Sequence, residues 1–107
     1  MLTKNNIEAQ GFTFFRRVEG EDLYSVSYQN IDDRDEYIGQ TIIRGYPNLI
    51  SFKHYDDGRA EIKILLSFLN QHWSDDWLFS GAITTNEEFI NVLSKVIKNE
   101  VKPVKFI

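Results

Sequence analysis

The alternation of apolar and polar residues is clearest in residues 49–69, where two β-rich runs flank the turn sequence Asp57-Gly58. This pattern predicts a β-hairpin. We favour a three-residue loop over residues 56–58, with Gly58 in the left-handed conformation as a bulge residue. A two-residue loop would instead mix apolar and charged residues on both sides of the hairpin.

The three-residue loop sorts the cross-strand pairs by polarity. The apolar pairs are Phe52 with Ile62 and Ile50 with Ile64, and the polar pairs are Lys53 with Glu61 and Tyr55 with Arg59. Because successive side chains of a strand point to opposite sides, the apolar pairs share one side and the polar pairs the other. The hairpin therefore has one side for a core and one for solvent.

Four more strands are expected around this hairpin. Residues 12–18 and 23–29 form a second hairpin, which would place Arg17 opposite Glu21 and Arg16 opposite Asp22. Residues 37–44 form a third strand and lead through the turn 45–48 into the first hairpin, with pairing restarting after Pro47 because proline has no N–H to donate. Residues 78–83 form the last of these strands.

The clearest helix signal comes late in the chain. Thr85 and Glu88 form a capping box, which predicts a helix from residue 86 to about residue 98. Its apolar residues recur at helical spacing: Phe89, Ile90, Leu93, Val96 and Ile97, with Val92 at the margin. Near the start, Thr3 as N-cap and Gly11 as stop predict a short helix over residues 4–10 that docks through Leu2 and Ile7.

These elements predict one α+β domain over residues 1–107. We expect a mostly antiparallel sheet of five strands, or six if the C-terminal tail adds an edge strand. The C-terminal helix packs on one face of the sheet, and the short N-terminal helix lies at its side or edge. A length of 107 residues is that of a single domain with a real core.

Composition limits the function. The net charge of −4 disfavours nucleic acid as a partner, and the chain contains no cysteine. No apolar run approaches the roughly 20 residues of a membrane span, and the first ten residues do not resemble a secretory signal. We therefore expect a cytoplasmic protein, or a virion-associated one if a phage encodes it, that binds neither nucleic acid nor membrane.

Residues 70–77 have the most unusual composition, with two tryptophans four residues apart among polar side chains. As one helical turn they would place Trp73 and Trp77 on one face. Two interpretations stay open: both indoles cover the end of the sheet, or they form an exposed platform for a partner. The candidate partner-binding residues are Trp73, Trp77, His72, Asp75, Asp76 and, in the apolar tail, Phe106.

Metal and cofactor sites are not expected. His72, Asp75 and Asp76 do not have the spacing that supplies three convergent metal ligands. Residues 30–36 are acidic, but their glycine and glutamate positions do not match a calcium-binding loop, so they are interpreted as a solvated connection.

Catalytic motifs are absent from the sequence. It has no glycine-rich phosphate loop, no nucleophile elbow and no HExxH sequence. His54 fits a cross-strand position, and Asp56 and Asp57 fit a turn, where aspartate forms local hydrogen bonds. We therefore do not expect an enzyme.

The two ends of the chain resemble short uncharacterised α+β proteins that Bacteroidetes and their phages and mobile elements encode. The sequences that carry the resemblance are LTKNNIEAQGF and GAITTNEEFINVLSKVI, about 28 residues in all. The resemblance implies an α+β fold and a phage or mobile-element origin. It implies no activity and no functional residue.

Three functions remain. The first is a non-catalytic protein-interaction or assembly module, a phage accessory or virion-associated protein among the possibilities, with a protein partner or self-assembly. The second is a small inhibitor that binds a host defence protein through the acidic residues 32–36. The third is a small enzyme or small-molecule binder, which a deep polar pocket around His54 or His72 would favour.

Overall fold

The structure is a computed structural model that describes residues 1–20, 33–43, 45–67 and 76–104, with the backbone alone for residues 43, 66, 67 and 76. The elements, in chain order, are α1 (Lys4–Ala9), β1 (Thr13–Val18), β2 (Arg34–Ile43), β3 (Tyr46–Tyr55), β4 (Arg59–Ser67), β5 (Asp76–Ala82) and α2 (Asn86–Val96). The five strands form one sheet in the order β1-β2-β3-β4-β5, and each neighbouring pair is antiparallel. The predicted α+β fold is confirmed.

The β3–β4 hairpin has the predicted register. Phe52 lies opposite Ile62, Ile50 opposite Ile64, and Lys53 opposite Glu61. The N–H of Gly58 donates to the carbonyl oxygen of Tyr55 at 3.0 Å, and the φ angle of Gly58 is 93°. The three-residue loop is therefore correct, and glycine is the residue that adopts this backbone conformation at least cost.

The helices cover one side of the sheet and bury an aromatic core. The ring of Phe52 lies 4.9 Å from that of Phe89 in α2, 5.4 Å from Phe12 and 6.0 Å from Tyr37, measured between centroids. The apolar side chains of the hairpin and Ile7 of α1 are also buried there. These contacts between strands and helices explain how a helix of six residues persists, since such a helix is not stable alone.

The sequence did not predict the strand that β1 contacts in the described residues. In the described residues β1 pairs with β2, so that Arg16 lies opposite Glu36 and Arg17 opposite Asp35. The predicted partner strand, residues 23–29, and the predicted ion-pair partners at positions 21 and 22 lie outside the described residues. The end of the acidic residues 30–36, which were predicted as a solvated connection, belongs to β2. Its carboxylates Asp35 and Glu36 are bound by the arginines of β1.

The predicted turn over residues 45–48 is too long. β3 already begins at Tyr46, which lies opposite Ile43, and Gly45 adopts a φ of 84° in the tight connection. Pro47 stands in the ladder opposite Ile42, whereas the β4 ladder begins only at the next residue, Asn48. Pairing with β2 therefore runs through Pro47, contrary to the prediction, and only the pairing with β4 starts after it.

The cap of α2 is confirmed in its first half and corrected in its second. The Oγ of Thr85 accepts a hydrogen bond from the N–H of Glu88 at 3.1 Å, as predicted. The carboxylate of Glu88, however, accepts from the N–H of Thr84 at 3.0 Å rather than from that of Thr85. It still places a negative charge at the positive end of the helix dipole.

The apolar stripe of α2 is narrower than predicted, and the helix ends at Val96 rather than near residue 98. Phe89, Leu93 and Ile97 are buried, at positions i, i+4 and i+8, but Ile90 is 42% exposed. Position 90 lies about 100° further round the helix than position 89, and this rotation carries Ile90 off the face that meets the sheet.

The C-terminal segment packs against α1 and β2. Lys102 and Gln40 exchange backbone hydrogen bonds of 2.7 and 2.8 Å in an isolated bridge. The edge strand predicted for the tail, around Val104 and Phe106, lies largely outside the described residues, and the pairing seen in the described part is this bridge, just before Pro103. A Cβ on Gly11 would lie only 1.9 Å from the carbonyl oxygen of Val101, so this close approach requires glycine.

Candidate functional site

The predicted site residues are described only in part. Trp77 lies in β5 and is 54% exposed, so it belongs to a strand and not to the predicted helical turn. Asp76 begins the same strand opposite Ile64, with its backbone alone described. The remaining candidates lie outside the described residues: His72, Trp73, Asp75 and Phe106.

Trp77 stands on the side of the sheet that faces away from α1 and α2, here called the open sheet face. The strand positions that point to this face alternate with the core positions Ile50, Phe52, Ile62 and Ile64. No described helix packs on it. The face includes charged and aromatic side chains from all five strands: Arg16, Arg34, Glu36, Lys53, Tyr55, Arg59, Glu61, Lys63 and Trp77.

Trp77 and Lys63 form the aromatic end of the open sheet face. They lie opposite each other on β5 and β4, and the Nζ of Lys63 is 3.7 Å from the centroid of the indole ring. A cation at this distance is attracted by the negative face of the ring. The contact holds one face of the indole against the sheet while more than half of the side chain stays exposed.

Tyr55 lies between two arginines on the same face. The guanidinium of Arg59 is 4.7 Å from the Tyr55 ring centroid, and that of Arg34 is 5.7 Å away from it. Burial, with the nearby carboxylate of Glu61, raises the pKa of the Tyr55 phenol, so this hydroxyl stays neutral at physiological pH.

Glu36 is the buried charge of the open sheet face. Its side chain is 8% exposed and accepts hydrogen bonds from Arg16 at 2.7 Å and Arg34 at 2.8 Å. Burial alone would raise the pKa of Glu36, but the hydrogen bonds from both arginines outweigh it and hold the pKa below its usual value. The carboxylate is therefore charged at neutral pH and fixes both arginines.

A groove lies at the end of the β3–β4 hairpin, on the side of the sheet that the helices cover. This groove, called the His54 groove, has a volume of about 470 Å³ and is lined by Lys4, Asp35, Tyr37, His54, Asp56 and Thr84, among others. The imidazole of His54 stacks on Phe52 with a centroid distance of 6.1 Å. The charges that line the groove are mixed: it has one lysine, Lys4, and three aspartates, Asp35, Asp56 and Asp57.

Arg17 holds the carboxylates of the His54 groove. It donates to Asp56 at 2.7 and 2.5 Å and to Asp35 at 3.3 Å. The hydrogen bonds from Arg17 lower the pKa of Asp56. Burial lowers the pKa of His54, although Asp35 and Asp56 oppose this, and burial raises the pKa of Tyr37 to about 12. At neutral pH the groove therefore presents a neutral imidazole beside a neutral phenol.

Another groove, of about 450 Å³, lies between α1, α2 and the C-terminal segment, with Gln10, Ile90, Ser94 and Pro103 among its lining residues. Its walls carry helix-surface side chains and two carboxylates, Glu8 and Glu100. None of the side chains named in its lining has a buried polar atom without a hydrogen-bond partner. The groove thus offers shape but no organised chemistry.

Metal ligands do not converge in the part of the chain that the structure describes, where no three His, Asp or Glu side chains form a group that could hold an ion. Neither of the two described helices has the length and apolarity needed to cross a membrane.

The sequence already predicted some of the residues that share the open sheet face. The predicted hairpin register already placed Lys53 with Glu61, and Tyr55 with Arg59, on the polar side. Arg34 was missed because it was assigned to a connection. The contact of Lys63 with Trp77 was missed because Trp77 was placed in a helical turn, although two bulky residues opposite each other on paired strands are a common arrangement.

No family model, no curated protein and no solved structure matches the chain.

Proposed function

We propose that the protein is a non-catalytic interaction module that binds a protein partner, or a second copy of itself, through the open sheet face. The observation that carries the proposal is Trp77, which is 54% exposed and stands on a strand of the sheet. Tryptophan is enriched among the residues that dominate binding energy at protein interfaces. An indole fixed by Lys63 on a strand binds with little further loss of side-chain entropy.

The neighbouring residues support an interface rather than a reaction centre. Ile42, at another position of the open sheet face, is 44% exposed and adds apolar surface. On the other side of the sheet, the carboxylates nearest His54 are already bound by Arg17, so neither is poised to orient the imidazole as a base. These contacts favour binding over catalysis.

The inhibitor hypothesis has weaker support. It assigned binding to the acidic residues 32–36, but Asp35 and Glu36 accept hydrogen bonds from arginines of β1 and are committed within the sheet. A phage accessory or virion-associated role remains compatible with an interaction module, and the resemblance of the chain ends supports it.

The test places a photo-crosslinking residue, p-benzoylphenylalanine, at position 77 and, as a matched control, at position 90. Both positions are exposed hydrophobic sites, but Ile90 lies on α2, away from the open sheet face. We expect a discrete adduct from position 77 alone, either with a second copy or with one partner. The partner is then purified, and Trp77→Ala should bind it at least tenfold more weakly than the wild type while circular dichroism shows that the variant is folded. Equal adducts from both positions, or unchanged binding by Trp77→Ala, would contradict the proposal.

A second function is favoured by the His54 groove: binding of a small zwitterion such as a free amino acid. Lys4 supplies a positive charge on its lining for a carboxylate, and Asp35, whose Oδ1 accepts a hydrogen bond of 3.3 Å from Arg17, has a second oxygen for an ammonium group. The test is an NMR titration with single amino acids, monitored at the His54 ring protons. We expect saturable shifts that Lys4→Gln weakens and the exposed control Lys102→Gln does not. Shifts that are absent, or equal in both variants, would contradict this function.

A further inference from the structure

Charge is distributed unevenly between the open sheet face and the rest of the protein. The strands place five cations on this face, Arg16, Arg34, Lys53, Arg59 and Lys63, and two carboxylates, Glu36 and Glu61. These described strand positions therefore sum to a formal charge of +3 in a chain whose net charge is −4, although Asp57 of the adjoining turn pairs with Arg59 at 2.7 Å. The overall acidity conceals a basic face, and the field of that face is what a partner meets.

The two lysines at the centre of the face are available for a partner. Within the described residues neither Lys53 nor Lys63 forms an ion pair, and Lys63 contacts only the ring of Trp77 among charged or aromatic groups. Lys53 lies between Glu36 on β2 and Glu61 on β4, because it is opposite both in the sheet register. Cations and carboxylates thus alternate across the strands.

We propose that the partner presents an acidic polypeptide segment to this face, with its carboxylates placed against Lys53 and Lys63. The inference rests on the proposed function, since it names the chemistry of the partner bound at the same face. Charge complementarity of this kind mainly raises the association rate and the specificity for the partner, and it contributes less to the affinity.

A single-stranded nucleic acid fits the same face less well. Binding of single strands relies on aromatic rings that are open for base stacking. Here Arg34 and Arg59 lie over the ring of Tyr55, and Lys63 covers one face of Trp77. Glu36 and Glu61 also interrupt the row of cations, and this alternation suits separate carboxylates better than a continuous phosphate backbone.

The experiment measures binding of poly-L-glutamate by isothermal titration calorimetry in 50 mM salt, with a thymidine 20-mer as the competing probe. Lys53→Glu with Lys63→Glu is compared with Lys95→Glu with Lys98→Glu. The second pair is an exposed control on and just after α2 that changes the net charge equally. We expect the first variant to bind at least tenfold more weakly and the control to bind within twofold of the wild type. Lys53→Arg with Lys63→Arg should retain binding.

Each other outcome overturns the inference. No saturable binding of poly-L-glutamate, or equal loss in both charge-reversed variants, shows that the face does not select an acidic chain. Tighter binding of the thymidine 20-mer assigns the face to nucleic acid instead. Lys53→Gln with Lys63→Gln provides the same comparison if charge reversal unfolds the sheet, which circular dichroism detects. Crosslinking at position 77 does not depend on the chemistry of the partner. A failure of the acidic-partner inference can therefore be distinguished from a failure of the proposed interaction function.

Discussion

Lys63 and Trp77 face each other across β4 and β5, with the ammonium 3.7 Å from the centre of the indole ring. At an exposed site such a contact contributes about 0.5–1 kcal/mol to stability. We predict that Lys63→Ala lowers the free energy of unfolding by about this amount and changes the near-ultraviolet circular dichroism of Trp77. The control is Lys53→Ala, a lysine of the same face without a ring contact. Equal losses in urea unfolding would show that the cation over the ring contributes nothing specific.

Gly58 closes the central hairpin at a φ of 93°, where a side chain is strained. A Cβ there would also lie 3.3 Å from the Cγ2 of Thr84. We predict that Gly58→Val lowers the free energy of unfolding by about 1–2 kcal/mol or more. Arg59→Ala, at the next and exposed position, should change it by only about 0.5 kcal/mol. Thermal unfolding of the two variants measures the difference, and equal melting temperatures would contradict the bulge geometry.

Thr85 caps α2 by accepting the N–H of Glu88 at 3.1 Å. Thr85→Ala leaves that donor without its partner, so we predict a loss of about 1 kcal/mol in the free energy of unfolding. Ser94→Ala is the control, because Ser94 lies later in the same helix and its hydroxyl only donates to a carbonyl oxygen within the helix. An unchanged urea midpoint for Thr85→Ala would show that the Thr85 cap does not stabilise the helix.

The fold was predictable where local and cross-strand patterns agree. The register of residues 50–62 followed from pairing like with like around Gly58, and the α2 cap followed from Thr85. The partner of β1 was not predictable in this way, because hairpin reasoning considers only neighbouring runs. Arg16 finds Glu36, 20 residues away, and Arg17 finds Asp56, 39 residues away.

The candidate site was predictable to a lesser degree. Trp77 was selected from its composition, but its strand setting depends on the pairing of β5 with β4. The net charge of −4 described the chain as a whole and carried no information on which face holds the cations. That distribution emerges only when the strands β1 to β4, which contribute between one and three charged positions each, are placed side by side.

Glu36 connects this charge pattern to stability. Glu36→Gln removes a carboxylate that two arginines bind, and we predict a loss of about 1–3 kcal/mol at pH 7. Because the folded pKa of Glu36 lies below its unfolded value, the carboxylate stabilises the fold above the unfolded pKa. This contribution disappears as the pH falls through the folded pKa.

Urea unfolding between pH 7 and pH 3 measures this effect. The difference between the wild type and Glu36→Gln should shrink towards the acid end of the series. Glu87→Gln, at an exposed position in the first turn of α2, is the control and should stay close to the wild type throughout. A difference that does not vary with pH would mean that packing, and not the charge of Glu36, accounts for the loss.

His54 should make the protein less stable on mild acidification. Burial lowers its pKa, and the opposing carboxylates of Asp35 and Asp56 do not restore the usual value. The unfolded chain therefore binds the proton more readily, so the free energy of unfolding falls as the pH drops from the unfolded pKa, near 6.5, through the folded one. We predict that His54→Gln loses less stability than the wild type between pH 7 and pH 5, measured by urea unfolding. An identical pH dependence in the two proteins would show that the buried imidazole titrates as it does in the unfolded chain.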